Sequence, residues 1–206
     1  AAQLNTVLNG LAAMGCRGLN VTIPHKQAVA SLCRELSPLA QRVGAVNTLL
    51  PLEAGGWQGT NTDVEGFCGP LRHPGADWTG KRAVVLGCGG SARAVVAGLV
   101  ELGFGSKSWA PQLQALSWTA EDGFMSALGA ALGQADLVVN TTPVGMAAAS
   151  NPDAALACPL SAAELGALSP RTTVYDIIYT PRPSQLLRQA AARSCRCIDG
   201  VDMLVG

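Results

Sequence analysis

Aromatic residues are scarce in this chain, at 4%, and charged residues are few, at 14%. Lys plus Arg and Asp plus Glu both total 14, so the formal net charge is +0. There is thus no basic field to attract nucleic acid and no acidic tail. No apolar run reaches the ~18–20 residues needed to span a bilayer, so no membrane partner is expected. Internal repeats and low-complexity tracts are absent. The seven cysteines are odd in number, at positions 16, 33, 68, 88, 158, 195 and 197. Their spacing matches no zinc pattern, and the Cys195–Cys197 pair has no second ligand pair, so no metal is expected. They read as buried thiols of a reducing compartment, which makes the cytoplasm the expected location. The opening Ala-Ala-Gln-Leu-Asn shows no basic and apolar targeting pattern. What is plentiful is apolar residue, 49% of 206, with 24 glycines that permit close helix–sheet packing.

One stretch organises the rest: Gly18-Leu-Asn-Val-Thr-Ile-Pro-His-Lys26. It reads as a strand from Gly18 to Ile23 that runs through Pro24 into a helix, with Pro24 in the first turn. The junction displays Asn20, Thr22 and Lys26 at a strand mouth, where α/β sheets bind ligands. Before it, apolar residues at 4, 7, 8, 11 and 14 predict a helix from Gln3 to Met14. After it, helices are expected over His25–Leu32 and Ser37–Val43, the second capped by Ser37. Gly44–Leu50 reads as a strand with Asn47 near its start. Trp57–Asp63 reads as an extended piece, and Val64–Leu71 as a helix that begins at Asp63.

Lys26, Asn47 and Asp63 therefore fall at three strand ends. A lysine can exchange a proton with a substrate, and a neighbouring carboxylate can orient it. Asparagine offers a donor and an acceptor to hydroxyl groups. The competing reading is an N-cap for Asp63 and a turn residue for Asn47.

A domain junction is placed at His73–Gly80 by its composition. Beyond it, Ala83–Leu86 is an apolar run, expected as a strand buried on both faces. Gly87, Gly89 and Gly90 form a turn, and Ser91–Leu102 a helix. Strand, glycine turn and helix N-terminus make an anion site suited to a dinucleotide pyrophosphate. The pattern is G-x-G-G rather than the full fingerprint, with Ala94 as the small residue. The strand that should follow, ending in the group that reads the adenosine ribose, is missing between Gly105 and Gln112. A helical run over Gln112–Trp118 follows, then a helix over Asp122–Leu132. Leu137–Val139 is a buried strand that opens into Asn140, Thr141 and Thr142. Ser161–Leu168 is a helix with a capping box. Thr172 begins a third buried strand leading to Tyr179. Ser184–Ala192 is helical, Cys195–Ile198 a short strand, and Asp199 starts a last helix.

These segments resemble the shikimate dehydrogenase family. The matching motifs are Asn20-Val-Thr-Ile-Pro-His-Lys26, Gly44-Ala-Val-Asn-Thr48, Gly59-Thr-Asn-Thr-Asp63 and Gly87-Cys-Gly-Gly-Ser-Ala-Arg-Ala94. Asn140-Thr-Thr-Pro-Val-Gly-Met146, Tyr175-Asp-Ile-Ile-Tyr-Thr-Pro-Arg-Pro183 and Asp199-Gly-Val-Asp-Met-Leu-Val205 complete the set in the family's order. The resemblance implies an α/β fold of two domains, a substrate domain and a Rossmann-like doubly wound dinucleotide-binding domain. The expected division is 1–78, completed by 187–206, and 79–186. It implies NADPH-dependent reduction of 3-dehydroshikimate to shikimate, in aromatic amino-acid biosynthesis.

By the same resemblance, Lys26 and Asp63 are the catalytic pair, and Thr22, Asn47, Asp63 and Tyr179 contact substrate. Gly87, Gly89, Gly90, Ser91 and Ala92 hold the diphosphate of NADP. Thr141, Met146, Ile177 and Gly200 lie near the rest of it. Quinate/shikimate dehydrogenase using NAD or NADP, and a silent member of the family, are the alternatives. Three family segments have no counterpart: an N-terminal strand with a serine loop, the NADP reader near Lys107, and a C-terminal helix with a glutamine. The native protein is expected to carry them. A homodimer is the expectation for assembly, although no residue fixes it.

Overall fold

The structure is a computed structural model and describes residues 2–104, 113–116, 124–147 and 150–205. It has two four-stranded sheets, each with helices packed against it.

The first sheet has the order β1 (Leu19–Asn20), β3 (Thr48–Pro51), β4 (Trp57–Thr60), β2 (Glu35–Leu36). β1 and β4 flank β3 antiparallel, and β2 joins β4 in parallel. α1 (Ala2–Ala13) ends as expected at Gly15, which takes a left-handed φ of 75°. Leu8, Val29, Ala40, Val46, Leu49 and Trp57 form this sheet's core. α3 (Pro38–Val43) starts where the sequence indicates, with the Ser37 hydroxyl accepting from Ala40 N at 3.1 Å.

The opening strand is shorter than predicted. Only Leu19 and Asn20 pair with β3, and the chain then turns over Thr22–His25, where His25 N donates to Thr22 O at 2.9 Å. Pro24 therefore lies outside α2 (Lys26–Ala30), whose N-cap is His25. α4 (Asp63–Cys68) begins at Asp63, but its N-cap is Thr62, and a 3-10 turn at Gly69–Leu71 finishes it.

The second sheet is fully parallel, in the order β5 (Ala83–Leu86), β6 (Leu137–Asn140), β7 (Thr173–Asp176), β8 (Arg196–Ile198). Its side chains alternate between two cores, as the period of a strand requires. Leu137, Val139 and Tyr175 face α4 and α5 (Gly90–Glu101), through Phe67, Val95 and Leu99. Val138 and Val174 face α6 (Phe124–Gly133), α7 (Ala162–Gly166) and α8 (Gln185–Ala191), through Leu132, Leu165 and Leu186. Helices on both faces explain the unbroken apolar runs of β6 and β7. The capping box at Ser161 and Glu164 is present.

Four expectations are corrected here. β5 is only partly buried along Ala83–Val85, because among the described strands it pairs with β6 alone. Residues 113–116 carry no helix, although the run Gln112–Trp118 looked helical. β8 pairs with β7, so 196–198 sits in the second sheet rather than completing the first unit. Only α9 (Gly200–Val205) returns to α4, where Met203 meets Gly66. Cys88, in the glycine turn, and Cys197, on β8, are exposed, although the seven cysteines read as buried thiols. The missing reader strand and Lys107 fall outside the described residues.

Candidate active site

The loop from β1 to α2 is clipped to the start of β3 by backbone bonds. Val21 N donates to Asn47 O at 2.7 Å, and Val46 N donates to Lys26 O at 2.8 Å. These bonds place Lys26 beside the N-terminus of α4. Lys26 Nζ then donates to Asp63 Oδ2 at 2.8 Å, with both side chains 12% exposed. The other carboxylate oxygen, Oδ1, accepts from Asn47 Nδ2 at 2.8 Å. Asn47 is itself held, because its Oδ1 accepts from Thr62 N at 2.9 Å. Asn61 supports Asp63 from below: its Oδ1 accepts from Asp63 N at 3.0 Å and its amide donates to Ala45 O at 3.0 Å.

The cap-and-turn reading of these residues therefore fails. Thr62 occupies the cap position, and the Asp63 carboxylate faces a lysine instead of its own helix. A mostly buried ammonium–carboxylate pair is an arrangement suited to proton transfer.

The glycine turn lies against this cluster. Lys26 Nζ also donates to Ser91 Oγ, at 3.4 Å, in the first turn of α5. Gly87 takes a φ of 103°, and a Cβ there would stand 2.7 Å from Thr141 Oγ1. The N-cap of α5 is Gly89, which offers no capping side chain. Nothing lies within 4 Å of where a Gly89 Cβ would be. The first N–H groups of a helix have no partner within it, and the helix dipole favours an anion beside them. The backbone of Gly90, Ser91 and Ala92 thus fits a diphosphate.

A second polar network shapes the loops at the ends of β6 and β7. The buried Asp176 accepts from Asn140 Nδ2 at 3.0 Å, Ser184 Oγ at 2.6 Å and Ile178 N at 3.1 Å. Asn140 Oδ1 in turn accepts from Thr142 N at 3.0 Å and Thr142 Oγ1 at 2.7 Å. Burial pushes the Asp176 carboxyl up from its ordinary value, and the bonds from Ser184, Ile178 and Asn140 pull against it. Sequence reasoning assigned nothing to Asp176 or Ser184. The available signal was an aspartate ending a strand that is otherwise apolar and hydroxyl-bearing.

The remaining expected residues lie just beyond the ends of β1, β6, β7 and β8. Thr141 is buried and donates to Leu86 O at 2.6 Å. Met146 is 40% exposed and Tyr179 is 53% exposed. Thr22 accepts from His25 N at 2.9 Å through its backbone oxygen. No hydrogen bond among the described residues joins Thr22 or Tyr179 to the Lys26–Asp63 pair. Gly200 sits so tightly on Ile177 that a Cβ would meet its carbonyl oxygen. A hollow of about 630 Å³ opens at the opposite end of the second sheet, between Trp78, Arg82, Asp136 and Arg171. It is remote from the glycine turn, which lies at the C-terminal end of β5, and it takes no part in the site.

The family described as shikimate dehydrogenase substrate binding domain matches residues 1–49. A shikimate dehydrogenase (NADP(+)) of Synechococcus sp. strain JA-2-3B'a(2-13) is 44% identical, over 98% of this chain and 72% of its own. Shikimate 5-dehydrogenase of Thermus thermophilus, solved in complex with NADP(H) and shikimate, superposes with a TM-score of 0.77 at 31% identity. That match covers 98% of this chain and 73% of the other. Quinate dehydrogenase of Corynebacterium glutamicum, solved with NAD, gives a TM-score of 0.72 at 31% identity, with the same coverage of both chains.

Proposed function

The chain belongs to the shikimate dehydrogenase family, and we propose that it catalyses the reversible NADPH-dependent reduction of 3-dehydroshikimate to shikimate. The observation that carries this reading is the Lys26–Asp63–Asn47 cluster set directly against the bare N-terminus of α5.

NADPH, when bound, supplies the hydride to the ring ketone. The developing alkoxide needs a proton, and the Lys26 ammonium donates it, becoming an amine. Asp63 orients Lys26 and stands ready to accept a bond from a ring hydroxyl. Asn47 fixes the carboxylate so that its free lone pairs face the substrate. Thr22 and Tyr179 line the substrate side. Gly87, Gly89, Gly90, Ser91 and Ala92 hold the diphosphate, and Thr141, Met146, Ile177 and Gly200 bound the nicotinamide side. In this reading residues 1–78, joined by α9, form the substrate unit and 79–198 the cofactor unit. The enzyme is placed in the cytoplasm, where seven unbridged thiols are at home.

Steady-state assay of shikimate oxidation with NADP tests the reading. Turnover is expected, and its absence from well-folded protein overturns it. A second substrate is favoured by the likeness to quinate dehydrogenase, since the hydroxyl-binding cluster accepts either ring. Rates with shikimate and quinate, each with NAD and NADP, decide between them.

A further inference from the structure

We propose that the Ser91 hydroxyl is a positioning residue for Lys26, tying the proton donor to the turn that carries the cofactor. This inference rests on Lys26 acting as the proton donor.

A lysine ammonium has three donors on a flexible four-carbon stem. One donor goes to Asp63 Oδ2 at 2.8 Å and a second reaches Ser91 Oγ at 3.4 Å. The third is left for a ligand. Asp63 alone leaves the ammonium free to swing about a single bond. Two acceptors from different elements define where the third N–H points. The Ser91 side chain has no other hydrogen bond among the described residues, and it does not cap α5, whose cap is Gly89. It is 7% exposed, so its hydroxyl is largely withdrawn from bulk water.

The stem is held from the same side. A Cβ added at Gly90 would meet Lys26 Cβ at 3.2 Å and Lys26 Cδ at 3.6 Å. The backbone that would hold the diphosphate is thus also the surface against which the lysine lies. A diphosphate bound by the N–H groups of residues 90–92 would lock the backbone bearing the Ser91 hydroxyl. Binding through the main chain and aiming of Lys26 through the side chain are separable by mutation.

Ser91→Ala deletes only the second function. The single-turnover rate of hydride transfer is expected to fall about tenfold, the weak end of the range for a bond to a charged group. KM for NADP should stay within about twofold, since backbone groups make that contact. Ser91→Thr keeps the hydroxyl and should recover most of the rate. An unchanged rate in Ser91→Ala, a loss confined to KM for NADP, or a threonine variant as slow as the alanine one would each overturn the proposal. Inactive wild-type protein would instead overturn the assignment of function on which it stands.

Discussion

Asp176 takes hydrogen bonds from both Asn140 and Ser184, at 3.0 and 2.6 Å, and so joins the end of β6 to the start of α8. With Ile178 N it has three donors facing it, and replacing it by asparagine would set an amide donor against at least one of them. We expect Asp176→Asn to lose about 1–3 kcal/mol of stability, the cost of an unsatisfied buried polar group, measurable by urea denaturation. The pH dependence should change as well. The folded-state value is raised, so the folded protein holds this proton more tightly than the unfolded chain. Stability contributed by Asp176 therefore falls as pH rises from its ordinary value of 3.8 towards the folded-state value. The asparagine variant should show a shallower decline over that window, and an equally steep one would argue against it.

Lys26→Ala removes the proton donor and leaves Asp63, which is 12% exposed, without its cation. The turnover number should drop by about 10²–10⁴, the usual range for one acid–base group. Circular dichroism should show the fold intact. Activity near the wild-type level would move the proton chemistry elsewhere.

Gly200→Ala tests how α9 is seated. Its new Cβ would collide with Ile177 O, which is backbone and cannot swing aside. A loss of about 1–3 kcal/mol is expected, as for other overpacked sites, together with a weaker grip on cofactor. Thermal melting and a cofactor titration report the two effects separately.

Cys68 is fully buried under α5, and that burial pushes its thiol up to about 12. The unfolded thiol ionises near its ordinary value of 9.0, so the folded state holds the proton over the interval between. Stability should therefore decline as pH climbs from about 9 towards 12, and Cys68→Ala should decline less steeply. In native protein at neutral pH, the exposed Cys88 should react with a thiol reagent and Cys68 should not.

Much of this was readable from residue patterns. β5 runs from Ala83 to Leu86 as the apolar block predicts, and Ser37 and Ser161 cap their helices as their spacing predicts. Local chemistry decides such features, so local sequence reveals them. The limits were tertiary. Nothing in the sequence near Gly18 says that only two residues will pair with β3. Nothing near Ala83 says that β5 will have one described neighbour. In the site, the catalytic candidates were visible as strand-end residues. The hydroxyl of Ser91 was legible only as part of a glycine turn, because its reach to Lys26 depends on how two sheets meet. Asp176 was passed over because an acidic side chain beside β6 looks the same whether it is solvated or buried.

The bond from Lys26 to Asp63 spans 37 residues, and the one from Lys26 to Ser91 spans 65. Either contact closes a long loop, at an entropic cost that grows with the length of chain enclosed. Neither sheet alone contains the proton donor, its carboxylate and the serine that steers it. Catalytic competence therefore belongs to neither half of the chain by itself and depends on the two being folded against each other.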